Sequence, residues 1–152
     1  KDLGSFQKKN QSDLTGFEIN SIPVVGMDGK ETILFARNGE KTILYLFSVN
    51  CDACSLNFST WQNLSKTIKV KDDYINIIAI SIDPIETTKK YLDKINIDFE
   101  IFSIQDINDI TVNFRTLLTP QTILINEKRT VENVWLGVLN PYQIYSIIKR
   151  FS

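Results

Sequence analysis

The stretch that determines the fold is residues 42–54, which read TILYLFSVNCDAC. Its first six residues are almost all apolar, the pattern of a β-strand that is buried on both faces of a sheet. From the second cysteine onward the periodicity changes, and apolar residues recur every three or four positions, at Cys54, Phe58, Trp61, Leu64 and Ile68. This spacing predicts one buried stripe of a helix over about residues 52–69. The two cysteines therefore lie where a buried strand passes into a helix.

Alternating strands and helices are predicted on either side of this junction. Strands are predicted at residues 16–25, 31–35, 75–82, 99–102, 121–125 and 130–136. Helices are predicted at residues 85–95, 106–114 and 141–148. Asp28-Gly29 predicts a hairpin between the first two strands, and the last two strands form another. We expect a single α/β domain at residues 14–152, with a mixed sheet between two helical layers, after a polar arm at residues 1–13.

The composition argues against two broad functional classes. The chain has 152 residues, of which 43% are hydrophobic, and its 17 basic residues are balanced by 18 acidic ones. A nucleic-acid-binding protein needs a basic face, so nucleic acid is not an expected partner. No apolar stretch in the sequence approaches the roughly 20 residues that span a bilayer. Histidine is absent from the sequence, which removes the commonest general base and a common metal ligand.

The spacing of the two cysteines fits thiol–disulfide chemistry. Cys51 falls at the predicted start of the helix, where free backbone N–H groups and the helix dipole stabilise a thiolate. Cys54 lies one turn later on the apolar stripe, so it should be the more buried sulfur. Residues three apart on a helix face the same side, close enough for a disulfide. We therefore expect Cys51 to attack a partner disulfide and Cys54 to resolve the mixed disulfide.

Three other interpretations of the cysteine pair are less favourable. A purely structural disulfide over so short a loop removes little unfolded-state entropy, about 2 kcal/mol. A zinc site needs about four ligands, whereas the sequence offers two cysteines and no histidine. Two inert buried thiols would not need this placement at a helix start. Redox chemistry is the favoured interpretation, and no metal is expected.

The motif Cys51-Asp52-Ala53-Cys54, with Thr119-Pro120 at the start of a distant strand, resembles the thioredoxin superfamily. An additional strand–helix unit before the proline is most similar to the bacterial extracytoplasmic branch, the TlpA/ResA-like and AhpC/TSA-type thiol-disulfide oxidoreductases. The resemblance covers about residues 16–151 and implies a thioredoxin-like three-layer sandwich with an N-terminal β-hairpin extension. It also implies exchange with a protein partner, with no cofactor besides the redox-active disulfide.

The resemblance assigns further site residues. In that family the proline is cis and packs against the disulfide, and the backbone of the preceding residue pairs with an extended substrate segment. These roles fall to Pro120 and Thr119. Three residues that flank or separate the cysteines, namely Asn50, Asp52 and Ala53, are expected to tune the redox properties. For Asp52, a helix-capping role remains an equally good alternative.

Three positions depart from the family pattern. Asn50 stands where Trp is usual, Tyr45 where thioredoxins bury an acid, and Asn57 where many TlpA/ResA-like members carry Glu. The usual proton-handling carboxylates are therefore missing. Candidate replacements are Glu18, Glu40 and Asp83. Of these, Asp83 is better explained as a cap for the helix that begins near Pro84.

Two alternative functions remain. A peroxiredoxin-like peroxidase shares the fold and would use Ser48, three residues before Cys51, but it also needs a proline where this sequence has Leu44. A redox-inactive binding module would dock partners at the groove beside Thr119 and Pro120, although the intact cysteines argue against it. Peroxide consumption and insulin reduction separate these possibilities.

Location and partners are inferred mainly from the resemblance. A lone cysteine pair is compatible with either the cytosol or the periplasm. The polar arm and a first residue that is Lys1 rather than Met suit a processed or membrane-tethered extracytoplasmic domain of a bacterium. The expected partners are a protein thiol or disulfide substrate and an upstream redox protein, and the chain is expected to be a monomer.

Overall fold

The structure, a computed structural model, describes residues 14–151. Its strands, numbered along the chain, are β1 (Ile22–Gly26), β2 (Glu31–Leu34), β3 (Thr42–Phe47), β4 (Asn76–Ser81), β5 (Glu100–Ile104), β6 (Gln121–Ile125) and β7 (Val131–Leu136). Its helices are α1 (Asp52–Lys71), α2 (Ile85–Leu92), α3 (Asn108–Phe114) and α4 (Pro141–Lys149). The arm predicted at residues 1–13 lies outside the described residues.

Within residues 14–151 all seven strands join one mixed sheet, in the order β2-β1-β5-β4-β3-β6-β7. The central strands β3, β4 and β5 run parallel, because helices α1 and α2 connect them. The strands outside this centre pair antiparallel, including the predicted hairpins β1–β2 and β6–β7. The predicted thioredoxin-like sandwich, with its N-terminal hairpin and mixed sheet, is confirmed.

Strand β3 is the centre of the core. All six of its residues are buried, and alternate side chains enter two different hydrophobic clusters. One cluster joins Tyr45 and Phe47 to the apolar stripe of α1 and to α4. The other joins Leu44 and Leu46 to α3 on the opposite face. Because β3 directs large apolar side chains to both faces of the sheet, it requires a helical layer on each face.

The strand register determines where the cysteines lie. Leu46, near the end of β3, is opposite Gln121 at the start of β6. Gln121 in turn is opposite Leu136 at the end of β7. The segments that follow β3, precede β6 and follow β7 therefore meet at one end of the sheet. Cys51 and Pro120 belong to two of these segments.

The prediction of a strand at residues 16–25 was wrong in its extent. Only its second half forms β1, while Glu18 makes an isolated bridge with Thr130 beside β7. Backbone bonds from Gly16 to Val131 (2.8 Å) and from Ile19 to Arg129 (2.7 Å) hold this first half. The chain then passes to β1 on the far side of the sheet. One apolar stretch is thus divided between two distant parts of the sheet, and tertiary pairing determines where each half lies.

The predicted helix at residues 85–95 ends earlier than expected, at Leu92. Beyond it the backbone continues in turns, with hydrogen bonds from Lys94 to Tyr91 (3.4 Å) and from Ile95 to Leu92 (3.0 Å). Such three-residue spacings are common where a helix tightens at its end. Among residues 14–151, no helix combines the length and the apolar character that crossing a membrane requires.

Tyr45 carries a hydroxyl group into the core from the middle of β3. Its ring stacks on Trp61 of α1 with centroids 4.7 Å apart, and its hydroxyl hydrogen-bonds to Ser65 Oγ at 2.8 Å. The Trp61 Nε1–H donates to Thr122 Oγ1 at 2.9 Å. Burial raises the pKa of the Tyr45 hydroxyl well above its usual value, and the bond with Ser65 offsets part of that rise. The position where thioredoxins bury an acid therefore holds a neutral group that anchors α1 on the sheet.

We expect Tyr45 to make stability fall at alkaline pH. In the unfolded chain a tyrosine loses its proton above about pH 10, whereas the buried hydroxyl keeps it. The unfolded state then binds fewer protons, so the free energy of unfolding falls by about 1.4 kcal/mol per pH unit above that point. Urea denaturation between pH 8 and 11.5 measures this slope.

Tyr45→Phe is the control, because lysine titration contributes equally to both proteins. The variant loses about 1 kcal/mol near neutral pH with the Ser65 bond and lacks the additional alkaline slope. Equal slopes for the two proteins would contradict the assignment.

Candidate functional site

Cys51 lies at the junction between β3 and α1, as the sequence predicts. It is the N-cap of α1, in extended conformation, and forms a disulfide with Cys54, the two Cα atoms being 5.2 Å apart. The backbone N–H of Cys54 donates to Cys51 Sγ at 3.1 Å. The sulfur of Cys51 thus occupies the position where a helix start offers an N–H group to a negative charge.

The two sulfurs differ in exposure, as expected. Cys54 is completely buried in the cluster that contains Phe47 and Phe58, whereas Cys51 is only partly buried at the edge of that cluster. Phe58 packs edge-on against Phe47 with centroids 5.1 Å apart. A partner sulfur can therefore reach Cys51 more readily than Cys54. This asymmetry suits an attacking and a resolving thiol.

The segment that leads into Cys51 is held by Asp83. One carboxylate oxygen of Asp83 accepts hydrogen bonds from the backbone N–H of Val49 (2.8 Å) and from Ser48 Oγ (3.1 Å). The prediction that Asp83 caps the next helix was wrong, because the N-cap of α2 is Pro84 and no side chain caps that helix. The carboxylate turns instead toward the strand beside it. Its position at the end of β4, next to β3, makes this contact possible.

The residues beside the cysteines are mostly exposed. Asn50 and Asp52 are exposed, and Ala53 is half-buried. Asp52 is the first residue of α1, so its charge lies in the first turn, where the dipole favours an anion. The capping alternative for Asp52 was wrong, because the sulfur of Cys51 performs that role.

Pro120 lies at the same end of the sheet as the disulfide. The Thr119–Pro120 peptide bond is cis, and Pro120 is buried whereas Thr119 is half-buried. The carbonyl of Pro120 accepts from the backbone N–H of Gly137 at 2.9 Å. Within the described part of the chain, the backbone of Thr119 makes no hydrogen bond.

Two buried amides complete the site, and neither role is apparent from the sequence. Asn57, one turn after Cys54, is completely buried. Its Oδ1 accepts from the backbone N–H of Leu139 at 3.1 Å, and its Nδ2 donates to the carbonyl of Gly137 at 3.4 Å. Gln121 is also buried and donates to the carbonyl of Leu118 at 2.8 Å. Buried and exposed amides follow the same sequence pattern, so only the tertiary contacts reveal these roles.

The remaining candidate acids lie at the opposite end of the sheet. Glu18 pairs with Arg129 at 3.1 Å in the turn between β6 and β7, and Glu40 adjoins the start of β3. Only Asp83 among the three candidates lies beside the cysteines. No group of three or more acidic or cysteine side chains suited to a metal occurs among residues 14–151.

Solved structures with the same fold span nearly the whole chain. The thioredoxin domain of a thiol-disulfide oxidoreductase from Bacteroides vulgatus is 20% identical, with a TM-score of 0.71 over 90% of this chain and 96% of that chain. A thiol:disulfide interchange protein from a Bacteroides species is 17% identical, with a TM-score of 0.73 over 90% and 89%. StoA from Bacillus subtilis is 14% identical, with a TM-score of 0.69 over 88% and 98%.

At such identities these likenesses establish the fold. No curated protein sequence gives a significant match. The sequence itself matches the AhpC/TSA family over residues 13–134. This match covers most of the sequence and includes both cysteines and Pro120. The chain therefore belongs to the AhpC/TSA family.

Proposed function

We propose that this protein is a thiol–disulfide oxidoreductase that exchanges the Cys51–Cys54 pair with a protein partner. The observation that carries the proposal is the asymmetry of the pair, with a partly exposed Cys51 at the helix start and a completely buried Cys54. The disulfide between them is one of the two states that such an enzyme must adopt.

The exchange needs no other redox group. Starting from the dithiol, the Cys51 thiolate attacks a partner disulfide, forms a mixed disulfide and releases one partner thiolate. The Cys54 thiolate then attacks Cys51 Sγ, which releases the second partner sulfur and closes the Cys51–Cys54 bond. Two electrons and two protons pass to the partner, which leaves as a dithiol. The reverse sequence oxidises a partner, and the reduction potential determines the direction.

The segment before β6 has the features of a substrate platform. Thr119 has backbone groups without partners among the described residues, and it lies at the same end of the sheet as Cys51. An extended segment of the partner can pair with these groups as an added strand. Pro120 contributes no N–H group of its own that would compete.

The family resemblance supports an extracytoplasmic location in a bacterium, periplasmic or membrane-anchored. Surface labelling of intact cells with a membrane-impermeant thiol reagent tests this location.

For the peroxidase alternative, the Ser48 hydroxyl would have to hydrogen-bond to the reacting sulfur, but it donates to Asp83. Disulfide exchange is therefore the better supported activity.

Replacing the resolving sulfur should trap the partner. Cys54→Ser leaves the partly exposed Cys51 able to attack a partner but removes the thiol that would resolve the mixed disulfide, so this adduct accumulates. Non-reducing gel electrophoresis followed by mass spectrometry of the adduct measures this. Cys51→Ser is the matched control and traps nothing, since its remaining thiol is buried. Insulin reduction should fall to background in both variants.

A different pattern would overturn the assignment. Equal trapping by the two variants would contradict the distinct roles of the sulfurs. Peroxide consumption with a dithiol reductant that is faster than disulfide exchange would favour the peroxidase.

The charge of Asp52 should make the cysteine pair more reducing. As an exposed anion next to Cys51, it disfavours the thiolate and so favours the disulfide. Asp52→Asn is expected to raise the reduction potential, to a less negative value, by on the order of 10 mV because solvent screens the interaction. Equilibration with glutathione or dithiothreitol measures the potential. A shift toward more negative values would refute this role.

Asp83 should stabilise the segment before Cys51 through its hydrogen bonds. Asp83→Ala leaves the Val49 N–H and the Ser48 hydroxyl without their acceptor and is expected to lower the free energy of unfolding by about 1–3 kcal/mol. Asp83→Asn keeps an acceptor oxygen and should lose less than half as much. Chemical denaturation of the oxidised proteins compares them. Equal losses would indicate that the charge matters rather than the hydrogen bonds.

A further inference from the structure

The end of the sheet that carries the disulfide is poor in charge. Residues 82–84 follow β4 at this end and bring Asp83. Three further segments meet there, residues 48–57 after β3, residues 116–121 before β6 and residues 137–140 after β7. Among their side chains only Asp52 is charged, although charged residues make up 23% of the chain. The nearby carboxylate of Asp83 already accepts from Ser48 and Val49. A charged partner segment would therefore find few complementary groups here.

Exposed aliphatic side chains take the place of charges. Leu117 is 45% exposed, Leu118 63% and Val138 45%. Leu117 and Leu118 directly precede Thr119, and Val138 follows the strand that pairs with β6. Three aliphatic groups that face solvent at the same end of the sheet as the reactive sulfur leave apolar area for a partner to cover.

A buried amide holds each of the two apolar loops in place. Gln121 donates to the carbonyl of Leu118 at 2.8 Å, and the Thr116 hydroxyl accepts from the Leu118 N–H at 3.1 Å. Asn57 bonds to the residues on either side of Val138, namely the carbonyl of Gly137 and the N–H of Leu139. Burying an amide is costly unless it is bonded, so both polar atoms of the Asn57 amide and the NH₂ group of Gln121 restrain these loops, whereas Gln121 Oε1 is buried without a partner among the described residues.

The loop after β7, residues 137–140, is also restrained by the conformation of its backbone. Gly137 has a φ of 81°, a value that side chains disfavour, so the turn that presents Val138 requires glycine. The backbone of Val138, like that of Thr119, makes no hydrogen bond to the described residues. The loop is therefore fixed by Asn57 while its outer groups stay available.

We propose that the partner presents its reacting cysteine within an extended, uncharged segment whose flanking side chains are aliphatic or aromatic, and that Leu117, Leu118 and Val138 bind those side chains. This inference rests on the proposed oxidoreductase function and specifies its substrate class. Continuity with the reactive sulfur identifies the occupant, because a partner must lie across this surface whenever its sulfur meets Cys51. The low charge of the surface favours apolar over charged flanks.

The test compares two disulfide-linked peptides that differ only beside the cysteines. One carries Leu and Val at those positions and the other carries Glu and Lys, and oxidised glutathione serves as a small reference disulfide without aliphatic or aromatic flanking side chains. The reduced protein is expected to reduce the apolar peptide at least about 5-fold faster, in kcat/KM, than the charged one.

Substitutions on the surface test whether Leu118 and Val138 bind the peptide. Leu118→Ser and Val138→Ser should each lower kcat/KM for the apolar peptide about 3- to 10-fold while leaving the rate with oxidised glutathione unchanged. Val70→Ser is the matched control, because Val70 is 88% exposed and lies about 24 Å along α1 from Cys54. It should change neither rate.

Each other outcome has a definite meaning. Equal rates for the two peptides, or no effect of either surface variant, would overturn the proposal. Slow exchange with all three substrates would instead contradict the oxidoreductase function. Concentration-dependent dimers in sedimentation that Leu118→Ser abolishes would show that the surface binds a second copy of this chain, which also overturns the proposal.

Discussion

The hydrogen bond from the Cys54 N–H to the Cys51 sulfur depends on how β3 ends. Every residue of β3 is buried, with β4 on one side and β6 on the other, so the strand cannot shift along or out of the sheet. Four residues separate Phe47 from Asp52, where α1 begins, and the apolar stripe of α1 packs back on Tyr45 and Phe47. The reactive sulfur is thus placed by a rigid strand and a packed helix.

Neutral or already hydrogen-bonded side chains surround this junction. Tyr45 keeps its proton and bonds to Ser65, Asn57 bonds to the loop after β7, and the Asp83 carboxylate bonds to Val49. Each of these side chains positions a neighbouring element. The functional groups of the site therefore serve mainly to fix its geometry, and the sulfurs carry the chemistry.

The sequence predicts local features better than distant ones. The strand–helix junction and both cysteine positions follow from residues 42–54, because alternation and helical periodicity are local signals. The contact of Asp83 with Val49 joins residues 34 apart in the chain, and an aspartate before Pro84 has an adequate local explanation as a cap. The division of residues 16–25 between β7 and β1 depends on which edge accepts each half, and no local pattern encodes that choice.

The same divided segment makes the two edges of the sheet unequal. Residues 16–19 lie beside the start of β7 and take up its backbone groups there through Gly16 and Phe17, which leaves less of that edge open to another chain. At the other edge, β2 ends the sheet formed by the described residues. A strand of another chain would have to pair with β2, which is four residues long and begins with Glu31. A short, charged edge is a poor seed for edge-to-edge aggregation, so the oxidised fold is protected from intermolecular sheet growth on both sides by different means.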